Sequence, residues 1–309
     1  MSAGDPRRAE SGLFGLFGRP YLDLEPFLEE RLAGLDLDVI DREITRGLAI
    51  ARSEYTGGSL KWMGVVAPWA MEDGYRDYGH VIESMNEVDV RELVLLGDDP
   101  DEVDLSRWRE LRFGDETEHP LNLAQMRFLE FRHGVYFPWK VCVHLLENDK
   151  WEDKHSGAGK TFTAEARRSF PQTVRLVAAL PFREIGRVVI FGLLANDHAP
   201  AHRDTEPGSA LTVAQSISID PRGDKRFYLT DPAGREKTRV DARFYWFNDM
   251  DYHGVDPAPA FQYSLRIDGT FERGFLPKVE RALRRGGRRR SDRESDSLAA
   301  RAALAVSGR

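Results

Sequence analysis

Cysteine is almost missing from this 309-residue chain: Cys142 is the only one. No disulfide within the chain is possible, and the composition fits a reducing, cytoplasmic setting. Cys142 sits in the apolar run KVCVHLL, where a small buried hydrophobe is the expected role rather than a nucleophile. Long hydrophobic runs are missing as well, none reaching the roughly 18 residues that a membrane helix needs. The amino-terminal stretch MSAGDPRRAESGLFGLFGRP has a short apolar patch broken by glycine, without the apolar core and cleavage pattern of a secretory signal. Positive charge is scarce over most of the length. The net charge is −7, yet from Lys278 onward ten Lys/Arg face four Asp/Glu, a local +6 that leaves −13 on the rest. A body that acidic is a poor general binder of nucleic acid.

What is present is an ordinary globular composition, 41% hydrophobic and 31% charged, arranged in three stretches. Residues 1–120 read as an α-rich N-terminal region. Leu24, Phe27, Leu28, Leu32 and Leu35 recur at helical spacing, the segment ends at Gly57-Gly58, and YGHVIESMNEVDVRELVLLGDDPDEVDLSRWREL reads as two further helices split at Gly97 to Pro100. Residues 121–277 change character. MRFLEF, KVCVHLL, GRVVIFGLLA, ALTVAQSISI, KRFYLT, RFYWFN and FQYSLRIDG are short and rich in β-branched and aromatic residues, which predicts strands. DPRG (Asp220 to Gly223) and DPAG (Asp231 to Gly234) suit type I turns and predict two consecutive hairpins. A helix is expected in SFPQTVRLVAALPF, with Ser169 as its cap, Pro171 in its first turn and Pro181 as its stop. The expected architecture is a mainly β core, a sandwich or jelly roll, behind an α-rich extension, α+β overall. Residues 278–309 form a basic tail whose Gly-Gly and arginine run predict a solvated, flexible segment.

One loop carries chemistry. NDHAPAHRDTEPG places His202 two residues before Asp204 at the end of an apolar strand, and residues two apart in extended chain point the same way. His-x-Asp alone is common by chance. Here RFYWFNDMDYHGV returns His253 at the end of a later strand, 49 residues on. Two neutral imidazoles and one carboxylate on one face of a metal with open positions form the facial set of non-haem Fe(II) oxygenases. In FQYSLRIDG, Gln262, Ser264 and Arg266 share one face. If that face is inward, Arg266 needs an anionic partner, best a carboxylate held by two hydrogen bonds. If it is outward, Arg266 is simply wet. Asn248 and Asp249 precede His253 and either orient it or are loop residues. Trp246 and Tyr228 lie on strands expected to border such a pocket, and SGAGKT (Ser156 to Thr161) reads as a mobile loop rather than a phosphate loop.

The sequence from FPQTVRLVAALP through HRD and FNDMDYHGV to the strand of Arg266, about a third of the chain, resembles the Fe(II)/2-oxoglutarate-dependent dioxygenases, most closely the aspartyl/asparaginyl β-hydroxylase-like branch. That resemblance implies a double-stranded β-helix with His202, Asp204 and His253 on Fe(II). It implies that Arg266, with Ser264, holds the C5 carboxylate of 2-oxoglutarate. The branch often has a further histidine near the co-substrate, on the strand after the first motif; this chain offers Thr212 and Gln215 there. The implied reaction consumes dioxygen and hydroxylates a C–H bond of an amino acid, a peptidyl side chain or a related small molecule, releasing succinate and CO2. Two other readings use the same residues: a zinc hydrolase with a metal-bound water, and a non-catalytic metal-binding jelly-roll module.

Overall fold

The chain was analysed as a computed structural model that describes residues 12–51, 65–66, 78–113, 121–137, 139, 141–147, 154–204, 215–231, 234 and 236–285. Gly57-Gly58, Thr212, Trp62, Trp69, Trp151 and the basic tail from Gly286 lie outside the described residues.

The apolar, β-branched runs become strands of two facing antiparallel sheets. The larger contains β1 (Tyr21–Asp23), β4 (Val141–His144), β5 (Phe182–Leu193), β7 (Ser216–Ile219), β10 (Phe244–Phe247) and β12 (Gln262–Phe271), in the order β1-β10-β7-β12-β5-β4. The smaller contains β6 (Ala199–His202), β8 (Phe227–Thr230), β9 (Lys237–Arg239) and β11 (Tyr252–Val255), in the order β6-β11-β8-β9. A two-stranded pair, β2 (Val65–Val66) with β3 (Val135–Tyr136), stands apart. From β5 to β12 the chain alternates between the two main sheets. That alternation is the double-stranded β-helix, and with the helices it makes the protein α+β.

The turns behave differently from one another. Asp231 and Gly234 close a hairpin, with Gly234 N–H donating to Asp231 O at 2.8 Å, and β8 pairs with β9. Asp220 to Gly223 also forms its turn, at 3.2 Å, but hands the chain from β7 in one sheet to β8 in the other. The expected hairpin fails because β7 is already paired on both edges, with β10 and β12. MRFLEF, expected as a strand, is helical.

Seven helices are used below: α1 (Glu25–Leu32), α2 (Leu37–Ile50), α3 (Tyr78–Glu83), α4 (Glu87–Leu95), α5 (Leu123–His133), α6 (Ala164–Ser169) and α7 (Pro171–Ala179). MRFLEF belongs to α5, whose ends explain the outcome. Asn122 and Gln125 form a capping box, and Gly134 closes the C-terminus at φ 68°. Those caps outweigh the β preference of a short aromatic run.

The helix before the β core forms as expected from Pro171, but Ser169 does not cap it. Buried Glu43 of α2 accepts from Gln172 N and Thr173 N at 2.8 Å each and from Thr173 Oγ1 at 2.9 Å. A carboxylate there satisfies orphan amides and meets the positive end of α7. Gly47 lets α2 lie against Phe170, since a Cβ there would collide with the ring.

Alternation along the strands divides the larger sheet into two faces. Ile217, Ile219, Trp246, Tyr263, Leu265 and Ile267 face outward into the main apolar core beneath α1, α2, α6 and α7. Tyr245, Phe247, Leu193, Phe227, Leu229 and Val255 meet between the sheets. Helices α3, α4 and α5 gather a separate apolar cluster around Leu93, Met126 and Leu129. Among the described residues no helix is long and apolar enough to cross a membrane.

Candidate metal centre

The last residue of β6 is His202, and β11 pairs beside it so that His253 is its direct cross-strand partner. Their rings stand 4.4 Å apart between centroids. Asp204 follows in the loop, and its backbone N–H donates to Asp249 O at 3.0 Å. That bond turns the carboxylate back over the histidines. Asp204 Oδ1 lies 3.6 Å from His202 Nε2 and 3.5 Å from His253 Nε2. One donor atom from each of the three residues falls within 4.8 Å of the others, which suits a single ion.

The orientation of both imidazoles is set from behind. His202 Nδ1 bonds Pro200 O at 2.8 Å, and His253 Nδ1 bonds Asp251 O at 3.0 Å. A carbonyl only accepts, so each Nδ1 carries the proton and each Nε2 keeps its lone pair toward Asp204. Burial, with the neighbouring His253, pushes the His202 pKa down to about 4. His202 is therefore neutral at pH 7, as a ligand must be. Burial pushes the Asp204 carboxyl up, but His253, His202 and Arg266 outweigh it and hold it well below the usual carboxylate range. Asp204 is also the open member of the group, its side chain 40% exposed, whereas that of His253 is 6% exposed. The open side of the site is thus the Asp204 side.

Phe247 and Phe227 wall the histidines, their ring centroids 4.7 and 5.7 Å from that of His253. Trp246 and Tyr228, expected at the border, are one residue out of phase. Trp246 joins the outward core, and the Tyr228 hydroxyl packs against the backbone at Gly254 and Ala199 with Lys237 over its ring.

Arg266 does face inward, buried, on the same side of β12 as Ser264. Its NH1 lies 3.7 Å from Asp204 Oδ2, and its Nε donates to Asp268 Oδ1 at 3.2 Å. Asp268 is itself gripped by Arg187 of β5, Nε at 2.7 Å and NH2 at 2.6 Å. A buried ladder of alternating charge, Arg187–Asp268–Arg266–Asp204, thus runs down the inner face of the larger sheet to the triad. Asp268 was visible in the sequence as the next same-face residue after Arg266. Arg187 has the same periodicity in GRVVIF but no local signal that names its partner.

Ser264 is buried and accepts from Lys225 Nζ at 2.5 Å. Gln215 does not join this group: its Oε1 accepts from Phe271 N at 2.6 Å and its backbone oxygen from Gly269 N. The β7 phase is the reason, because Ser216 and Ser218 take the inner face and Gln215 falls on the other. Asn248 and Asp249 do not bond the His253 ring. The Asn248 side chain accepts from Met250 N at 3.1 Å, and the Asp249 carboxylate meets Lys154 at 3.6 Å. Asp251 fixes this loop instead, accepting from Phe14 N at 2.8 Å and Gly15 N at 3.2 Å. In the SGAGKT loop, Lys160 Nζ donates to Gly186 O at 2.9 Å.

No family model matches the chain, and no curated protein matches it. Solved structures do resemble it. One is an oxidoreductase of the 2OG-Fe(II) oxygenase family from Burkholderia pseudomallei, 14% identical, TM-score 0.26, covering 41% of this chain and 66% of that one. Another is a prolyl hydroxylase from Trichoplax adhaerens in complex with a hypoxia inducible factor peptide fragment, 13% identical, TM-score 0.28, covering 45% and 74%. A third is a cupin domain from Bordetella pertussis, 10% identical, TM-score 0.20, covering 26% and 78%. With TM-scores this low, the functional reading rests on the side chains of the site itself.

Proposed function

We propose that this chain is an Fe(II)/2-oxoglutarate-dependent oxygenase that hydroxylates an unactivated C–H bond of an amino acid, a peptidyl side chain or a related small molecule. The observation that carries this reading is the convergence of His202, Asp204 and His253, on β6, its loop and β11, beside the inward guanidinium of Arg266. Two neutral nitrogens and one carboxylate oxygen occupy one face of an ion and leave the opposite positions for an oxoacid and dioxygen. Bound iron supplies the oxidising power: CO2 leaves the oxoacid, one oxygen atom of dioxygen enters succinate and the other the new hydroxyl.

The protein's own groups hold and exclude. Pro200 O and Asp251 O keep both Nε2 atoms aimed. Asp204 contributes the negative charge and occupies a position that would otherwise be open to a small anion, which favours hydroxylation as the outcome. Phe227 and Phe247 keep water from the inner side of the site. Arg266 and Ser264 hold the distal carboxylate of 2-oxoglutarate, with Asp268 fixing the Arg266 side chain. The order of HRD, the returning histidine and the arginine strand supports the aspartyl/asparaginyl β-hydroxylase-like branch. A zinc hydrolase would need only the triad and a water, and the buried cations at the inner end of the cavity would then have no partner to bind.

The test is succinate. Purified protein with Fe(II), ascorbate, 2-oxoglutarate and air is expected to form succinate, including slow formation without a prime substrate. A protein that binds Zn(II) and forms none contradicts the reading.

A further inference from the structure

Lys225 has no assigned task in the oxygenase reading above, and it is in an unusual place for a lysine. Its relative exposure is 6%, just before β8 and inside the β core. Fully buried lysines are rare without a paired anion. Its described contacts are neutral: Ser264 Oγ at 2.5 Å, the Trp139 ring centroid at 5.6 Å and the Phe227 ring centroid at 5.4 Å. Among the described residues no carboxylate forms an ion pair with it. Asp220 attracts it from a distance, but the Asp220 oxygens accept from Gly223 N and Lys225 N, at 3.0 and 2.8 Å. Burial pushes the ammonium down to about 8, Asp220 opposes this, and the Arg266 charge adds to it. Lys225 thus stays charged at pH 7 while facing a second buried cation.

The two cations differ in one respect. Arg266 already has Asp268 on one side and Asp204 on the other. Lys225 has no such neighbour. Both reach the same small volume, since Ser264 and Arg266 are same-face neighbours two residues apart on β12. The triad opens into this volume past Phe227, which stands between Lys225 and His253. A dicarboxylate entering with its oxoacid end at the triad would bring its far carboxylate to the group that lacks an anion.

Resting on the oxygenase reading, we propose that Lys225, through its ammonium and together with Ser264, is a principal holder of the co-substrate's distal carboxylate. Arg266 shares that anion while remaining tied to Asp268 and Asp204. Lys225 then selects a dicarboxylic 2-oxoacid over a monocarboxylic one.

The test is calorimetric titration of Mn(II)-loaded protein, which needs no turnover. The ligands are 2-oxoglutarate and 2-oxopentanoate, the same five-carbon chain without the distal carboxylate. Loss of one charge-assisted bond is expected to weaken 2-oxoglutarate about tenfold or more in Lys225→Met. Affinity for 2-oxopentanoate should be equal in wild type and variant, and Lys225→Arg should recover part of the loss. The metal-free Lys225→Met protein should melt at the same or a higher temperature than wild type, because an apolar isostere replaces a buried cation. Lys225→Gln carries the same ligand test if the methionine variant does not fold. Unchanged 2-oxoglutarate affinity overturns the proposal. So does equal loss of both oxoacids with a lower melting temperature, which marks a structural lysine. Wild type that takes up Mn(II) but not 2-oxoglutarate overturns the co-substrate reading beneath it, and wild type that takes up no metal overturns the metal site as well.

Discussion

Each imidazole of the triad commits one nitrogen to a backbone carbonyl, and that places the other. Removing either ring should therefore remove a ligand without unravelling a strand. His202→Ala and His253→Ala are expected to lose succinate formation while keeping the far-ultraviolet dichroism of wild type. Metal affinity should fall by more than the ten- to a hundredfold that loss of an outer-shell partner costs. Full turnover by either variant would contradict the assignment. Arg266→Ala should raise the 2-oxoglutarate concentration needed for half-maximal turnover more than it lowers the maximal rate. Asp268→Ala is a different experiment. It leaves Arg187 and Arg266 buried without their shared carboxylate, an expected loss of about 3–5 kcal/mol in urea unfolding; a loss below about 1 kcal/mol would mean the ladder is solvated. At this scale the sequence was legible where spacing alone places a side chain. His202 and Asp204 are two apart, and Arg266 keeps phase with Ser264. Gln215 was not, because its face depends on the phase of β7. Lys225 was not, because a lysine beside a turn reads as surface, and only the crossover from β7 to β8 carries it inside.

The elements that present the triad are held by contacts no local pattern announces. Helix α7 was expected from its prolines, yet its cap comes from Glu43, 129 positions earlier than Gln172. Glu43→Ala should cost about 1–2 kcal/mol of unfolding free energy, the range for losing a helix cap, whereas Ser169→Ala should cost less. The reverse order would restore Ser169 as the cap. Gly47→Ala tests packing against propensity. Alanine is favoured in a helix interior by about 1 kcal/mol, but a Cβ there meets Phe170, and overpacking costs about 1–3 kcal/mol. Net destabilisation is expected; a gain would show that the Phe170 ring can move aside. The DPAG hairpin was legible because β8 has a free edge for β9. The DPRG turn was legible as a turn only, since the pairing of β7 with β10 and β12 is long-range. MRFLEF misled because its aromatics suit a strand while its caps lie outside the run.

Across the whole molecule, buried histidines set how the fold answers to acid. Burial lowers both His144 and His202 to about 4. The unfolded chain binds these protons below pH 6.5 and the folded one does not until about pH 4, so stability rises with pH across that window and is lost as pH falls through it. Each histidine contributes on the order of 3 kcal/mol at most. Urea unfolding of metal-free protein should show a clear drop from pH 7.5 to pH 5, and His144→Gln should flatten part of it. A profile identical in the variant would place His144 in water. The same molecule rests on one claim, that the two sheets bring His202, Asp204 and His253 around a single ion. Anaerobic equilibrium dialysis against Fe(II), with iron counted per chain, tests it most directly. One equivalent in wild type and essentially none in His253→Ala is the expected result; no iron in folded wild type, or a full equivalent retained by the variant, would contradict it.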